Sequence, residues 1–502
     1  MKIISIRLEN TFNSLQPFIH GFRHAFREDE KIDPICLVGV NGSGKSNLLE
    51  LIVEPFFYLE KLHRFGIKLK KIPLKVELIY SINEEMGTEV KIETISSSTP
   101  KLSVKLKNSA EWKPVIDKHE ILKHLPHKII GYTSGMNETL SFRLNQLDED
   151  YSKLVLDNAR KQSKSQLHDN RMIFLDYASN EAITISNFVY REASDLKIFN
   201  DLLRIKSLHR FKVIINLKRK GKSGKNSLVI LSPELKENIQ KLINCSICYN
   251  IDAESGYYEL DFLYSQETQV AFRKNFDSVY ELFMCFQKFE LLNPINLERK
   301  YRVTRSKDFL LEGRPVLAKE DKVFRFDEIF IEISSPKKII PYIGISDGEH
   351  QFLQLVGACM LFDKEDTLFL FDEPETHFNP LWRTKFISIL NGISSGRKQD
   401  FIITTHSPYI VSDCKGYRVF KFERKEDKVL FNPIDIETFG TSFDLILKKT
   451  FNIDASISEE ANDEINTLIK EGTREEIMEF LNESGPSIER LGLIKKLKNI
   501  SS

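Results

Sequence analysis

The chain switches between two hydrophobic periods. Residues 1–10 place Ile4, Ile6 and Leu8 at every second position, which predicts a strand. Pro34 to Val38 is a continuous apolar run, the pattern of a short strand buried on both faces. After a polar, glycine-rich stretch the period becomes helical over Asn47–Val53, and it continues through Phe56, Phe57, Leu59 and Leu62. Alternation returns over 75–80, 89–94 and 102–106, broken by turn residues such as Asn83 and Gly87. These segments predict a small antiparallel sheet with one wet face. Residues 128–131 read as a return to the central sheet, followed by the polar loop 132–138.

Residues 141–330 mix charged and aromatic positions, with helical stretches at 194–206 and 269–289. Heptads are not sustained, which excludes a long coiled coil. No internal repeat recurs at a fixed period. The runs 211–217 and 227–231 suggest a hairpin whose tip carries Lys218, Arg219, Lys220, Lys222 and Lys225. From 323 the alternation of Phe324, Phe326, Ile329, Ile331 and Ile333 predicts another strand. Two continuous apolar runs follow, at 368–371 and 401–403, and the tail from 455 is helical and acidic.

The polar stretch after the run at 34–38 is Gly39-Val-Asn-Gly-Ser-Gly-Lys45-Ser46, which fits G-x-x-x-x-G-K-[ST] at every fixed position. Glycines 39, 42 and 44 let backbone N–H groups turn toward a phosphate, and the helix N-terminus adds its positive dipole end. Lys45 offers an ammonium to the β- and γ-phosphates, and Ser46 offers a hydroxyl to Mg²⁺. The run at 368–371 ends in Asp372 and Glu373, at the strand end where α/β sheets place ligands. Asp372 suits the Mg²⁺ shell, and Glu373 suits a base that accepts a proton from attacking water. The run at 401–403 leads to His406, which can orient that water or meet the γ-phosphate. Ser346 and Glu349 form an S-x-x-E capping box before an amphipathic helix. The same helix start, with the Gly348 backbone, can bind an anion.

The order of these stretches resembles the ABC-type ATPase head of the SMC/RecF and OLD-like group: phosphate loop, signature, Asp-Glu strand, switch histidine. The resemblance covers roughly 1–140 and 325–415. It implies an α/β fold, a P-loop ABC-type head with a mixed central sheet, helices and an antiparallel β subdomain. The expected organisation is an N-terminal lobe (1–140), a large α+β insertion (141–325), a C-terminal lobe (326–440) and a helical C-terminal segment (441–502). ATP and Mg²⁺ are the implied cofactors. Candidate nucleotide ligands are Gly39, Asn41, Gly42, Ser43, Gly44, Lys45, Ser46 and Asn47, joined by Ser346, Gly348 and Glu349 of the signature. Ser46 and Asp372 are the candidate metal ligands, and Glu373 and His406 the candidate catalytic residues. Two heads would sandwich two ATPs, so that Lys45 and Asp372 of one copy meet Ser346 and Gly348 of another. Residues 375–379 would lie at that seam. The signature reads Ile345-Ser-Asp-Gly-Glu349 where the group has L-S-G-G-Q/E, so Asp347 replaces a glycine that bears on the γ-phosphate.

Further stretches are similar to restriction-system-associated and Septu anti-phage ATPases of the PtuA kind: F-N-S-L near the start, 131–138, 174–177, 437–444 and 485–490. That resemblance implies an oligomer acting with a separate HNH-type nuclease. Two other classes are weighed against it. A RecF/SMC-like repair or chromosome ATPase is disfavoured by the missing heptads, and a transporter's ATPase subunit by the large insertion.

Composition narrows the picture only slightly. Lys plus Arg and Asp plus Glu are both 72, so DNA contact must come from local patches such as 218–225 and 299–307. Six irregularly spaced cysteines suggest a reducing cytoplasm, and the pair Cys245/Cys248 lacks the second pair of a zinc site. The N-terminus is too interrupted for a signal peptide, and no apolar run approaches a membrane span.

Overall fold

The computed structural model describes residues 1–22, 32–67, 72–82, 87–94, 99–106, 109–135, 139–161, 169–220, 226–296, 317–426, 428–453 and 457–500. Its centre is a seven-stranded sheet. The order is β20 (Lys428–Pro433), β19 (Val419–Lys425), β3 (Ile35–Gly39), β18 (Asp400–Thr404), β17 (Thr367–Asp372), β8 (Lys128–Thr133) and β9 (Met172–Phe174). Neighbours are parallel except β19 and β20. The apolar runs of β3, β17 and β18 are buried along their whole length. Alternate residues of β17 enter different cores, Leu368 and Leu370 on one face and Phe369 and Phe371 on the other. A strand covered on both faces has no polar face, which is why these runs do not alternate.

The first face is covered by α1 (Lys45–Leu59), which ends in a π turn at Glu60–Arg64. A second sheet, wholly antiparallel, packs here in the order β2 (Phe18–Gly21), β1 (Lys2–Leu8), β4 (Val76–Ile82), β5 (Thr88–Glu93), β6 (Lys101–Lys105), β7 (Lys113–Val115). In β1 the buried residues are Ile3, Ile6 and Leu8. A register shift between Ile3 and Ser5 takes Ile4 out of the expected alternation. The short α2 (Lys118–Lys123) leads into β8.

The other face carries α4 (Tyr177–Tyr190), α9 (Asp347–Leu361) and α10 (Pro380–Ser394). Helix α9 is buried on all sides rather than amphipathic, because α4 and α10 flank it. A third sheet runs β13 (Cys248–Asp252), β14 (Tyr257–Leu263), β10 (Ile205–Asn216), β15 (Phe324–Ser334), β16 (Lys337–Pro341). It shares a core with α5 (Lys197–Leu203), α6 (Pro233–Cys245), α7 (Gln266–Asn275) and α8 (Val279–Glu290).

The sheets do not follow the boundaries expected at 140 and 325. α3 (Thr139–Arg160) packs on α1, where Arg143 bonds buried Glu54, and β9 extends the central sheet. At the other boundary β15 pairs with β10 across it. Local readings shift as well. The helix expected over 194–206 stops at Leu203, where Arg204 takes the left-handed conformation (φ 61°). The one expected over 269–289 breaks so that Ser278 can cap α8. Strand β10 pairs with β14 and β15, and the basic hairpin is a separate ribbon of β11 (Lys218–Lys220) and β12 (Asn226–Leu228). Its tip at 221–225 and the basic cluster at 299–307 lie outside the described residues. Cys245 is buried and Cys248 exposed, so the two thiols do not share an environment.

After β18 come α11 (Pro408–Val411) and α12 (Phe443–Phe451). Then α13 (Glu459–Glu471), α14 (Arg474–Glu483) and α15 (Arg490–Ile500) close on a small core of Ile465, Ile477 and Leu493. No helix among the described residues is long and apolar enough to cross a membrane.

Candidate nucleotide site

Three adjacent parallel strands, β3, β18 and β17, end at the same edge of the central sheet. The glycine loop, His406 and the Asp372-Glu373 pair therefore converge although they are far apart in sequence. Gly39 must be glycine, since a Cβ there would lie 2.4 Å from the Phe422 carbonyl oxygen of β19. Gly42 and Gly44 take positive φ (74° and 100°), which rolls the loop into the start of α1. Helix α1 begins with no side-chain cap. The Ser43 hydroxyl is buried and has no hydrogen-bond partner among the described residues. Together these provide backbone donors and a hydroxyl for an anion. Asn41 and Gly42 are exposed at the loop's tip. Asn47 turns away, and its Nδ2 donates to Ser14 Oγ at 2.6 Å.

Asp372 gathers hydroxyls. Its Oδ1 accepts from Ser46 Oγ at 3.0 Å and from Thr404 Oγ1 at 2.5 Å, and its Oδ2 accepts from Thr133 Oγ1 at 3.2 Å. Neither threonine is a fixed position of a sequence motif, yet each is the cross-strand partner of Asp372 in the neighbouring strand. A threonine closing each strand was the available signal. Hard oxygen donors of this kind fit Mg²⁺.

Next to Asp372 the backbone turns sharply. Glu373 has φ 51°, and its N–H donates to the carbonyl and hydroxyl of Thr404. This costs on the order of 1 kcal/mol for a residue with a Cβ. It brings Glu373 Oε1 to 3.1 Å from His406 Nε2, which itself lies 2.9 Å from Lys45 Nζ. Lys45 Nζ also donates to the carbonyls of Gly39 (3.0 Å) and Val40 (3.3 Å). The His406 contact holds the Glu373 carboxyl below its ordinary pKa, against the effect of burial. Burial lowers the pKa of Lys45, partly offset by Glu373, Asp372 and Glu375. Glu375 is buried, accepts from Thr405 Oγ1, and is pushed up to about 7 by desolvation.

The signature opens helix α9. Ser346 and Glu349 complete the capping box of α9, and each satisfies the other. Gly348 has a packing reason, since a Cβ would lie 2.5 Å from the His377 carbonyl oxygen. Among the described residues none of Ser346, Gly348 and Glu349 hydrogen-bonds to residues 39–47. Of the segment 375–379, Glu375 and Phe378 point inward, while Thr376, His377 and Asn379 are exposed. Ile343, Leu381 and Val40 are apolar and about half or more exposed.

Fold and site together define an α/β protein of the phosphate-loop ATPase type. The family model described as "AAA domain, putative AbiEii toxin, Type IV TA system" matches residues 35–412, and the chain belongs to that family. A stretch of 94 residues is 31% identical to protein ea59 of Escherichia phage lambda, covering 19% of this chain and 18% of that protein. Among solved structures, an SMC head domain from Thermotoga maritima covers 87% of this chain at 13% identity and TM-score 0.34, over 100% of its own length. A Pyrococcus furiosus Smc head domain bound to the C-terminal domain of ScpA covers 86% at 16% identity and TM-score 0.34, over 96% of its length.

Proposed function

We propose that the chain hydrolyses ATP with Mg²⁺ at a site completed by a second copy, and that this cycle regulates a separate nuclease in anti-phage defence. The observation that carries the ATPase reading is the meeting of Lys45, Ser46, Asp372, Glu373 and His406 at adjacent strand ends. Lys45 would exchange its carbonyl contacts for the β- and γ-phosphates, and Gly39, Gly42, Ser43 and Gly44 would wrap them. Ser46 and Asp372 would hold Mg²⁺, which when bound neutralises charge between phosphate oxygens. Glu373, kept ionised by His406, would take a proton from the attacking water, and His406 would orient that water.

The composite site is supported by Ser346 bonding only within its own capping box, with no hydrogen bond to the loop at 39–47 among the described residues. The exposed Ile343, Leu381 and Val40 are suited to being covered by another copy. The defence reading rests on the resemblance of F-N-S-L near the start and of the stretches at 131–138, 174–177, 437–444 and 485–490 to anti-phage ATPases. Its test is co-expression with the neighbouring gene product, followed by purification and a DNA-cleavage assay with and without ATP. Co-purification of an ATP-responsive nuclease supports it. If no nuclease co-purifies and Lys45→Ala leaves phage plating unchanged, the defence role falls and the ATPase reading stands.

A further inference from the structure

We propose that Phe451 is a positioning residue for His406: its ring fixes the tilt of the imidazole, so that Nε2 stays between Lys45 and Glu373. The proposal rests on reading His406 and Glu373 as parts of a hydrolytic site. The two rings stack with centroids 5.8 Å apart and planes at 30°. His406 is one-third exposed, and its polar contacts with Lys45 and Glu373 both fall on Nε2. They fix where one atom lies, while the ring's tilt is set by the face packed against it.

Phe451 is itself firmly held. Helix α12 runs along α11, which directly follows His406, and Phe443 meets Tyr409 edge-on at 4.5 Å. Ile446, one turn earlier than Phe451's own turn, is fully buried. The helix stops at Asn452, in the left-handed conformation (φ 59°), whose Oδ1 accepts from Lys421 Nζ of β19 at 2.8 Å. Phe451 is thus anchored to the central sheet from one side and to α11 from the other. The backbone of His406 is equally constrained, since Thr405 N–H donates to Leu37 and Ser407 N–H to Thr405 Oγ1. What remains to be set is the side chain of His406, and the aromatic face that sets it comes from the C-terminal region, outside the four stretches that mark the site in sequence.

The experiment uses the full chain and measures kcat, the KM for ATP and the melting temperature of Phe451→Leu, Phe451→Met, Phe451→Tyr, His406→Ala and the double variant Phe451→Leu/His406→Ala. Leu and Met keep apolar bulk without a ring, and each is expected to lower kcat about tenfold at unchanged KM. Phe451→Tyr is expected to retain the parent kcat. In the His406→Ala background Phe451→Leu is expected to cause no further fall, because coupled residues are not additive. The proposal is overturned if Leu and Met match the parent, if Tyr falls as far as they do, or if the loss persists in the His406→Ala background. If His406→Ala and Glu373→Gln hydrolyse ATP like the parent, the hydrolytic reading falls and takes the proposal with it. If those two lose activity and the Phe451 variants do not, the Phe451 proposal alone falls.

Discussion

His406 Nε2 lies 3.1 Å from Glu373 Oε1 and within the same reach of Lys45 Nζ. One imidazole nitrogen carries either a proton or a lone pair. It can donate to Glu373 or accept from Lys45, but not both at once. Phosphate drawing Lys45 away would leave Nε2–H to Glu373 alone. We expect Glu373→Gln to keep ATP binding and to lower kcat by about a hundredfold or more, as for loss of a general base. Single-turnover hydrolysis checks this.

Asp372 is the second hub. Thr404→Val removes the hydroxyl that donates to Asp372 at 2.5 Å and that also receives the Glu373 N–H. Both groups keep other partners, so losing these two hydrogen bonds should cost about 1–3 kcal/mol. Chemical denaturation of the variant measures it. Asp372→Asn, by contrast, should raise the Mg²⁺ concentration needed for half-maximal hydrolysis.

Glu375 predicts a pH effect. Its folded pKa is raised to about 7 by burial, against about 4.3 for an unfolded glutamate. The stability linked to its proton is full below that lower value and is lost as pH rises through 7. Glu375→Gln keeps an acceptor for Thr405 without the titration. Its stability relative to the parent should therefore rise by up to about 3 kcal/mol between pH ~5 and pH ~9. Parallel melting profiles would contradict this.

The signature variants should separate packing from assembly. Ser346→Ala loses a helix cap worth about 1 kcal/mol, a small change in melting temperature, yet ATP-dependent self-association should fail. Gly348→Ala forces a Cβ to 2.5 Å from the His377 carbonyl and should disturb the fold as well. Light scattering with and without Mg-ATP, beside thermal melts, distinguishes the two.

The placement of the contiguous motifs at strand ends was legible from residue types alone. The phosphate loop, Asp372-Glu373 and His406 stand at strand ends because apolar runs mark buried strands. What was hidden depended on register or on remote packing. Thr133 and Thr404 matter only because β8 and β18 flank β17 with these residues opposite Asp372. Phe451 reaches His406 across a long separation that no local pattern announces. The middle of the chain resisted because β10 pairs with β15 across more than a hundred residues, so that neither strand signals its partner. Asn47 fitted the motif's flank, yet it faces Ser14 instead of the loop's interior.

The most direct measurement is ATP hydrolysis by the purified chain at saturating Mg-ATP, parent beside Glu373→Gln, over a range of protein concentrations. Activity per chain is expected to rise with concentration as copies complete each other's sites, and Glu373→Gln is expected to bind ATP but turn over at about a hundredth of the parent rate or less. Equal rates for the two proteins, or activity per chain independent of concentration down to a 58.3 kDa monomer, would contradict this.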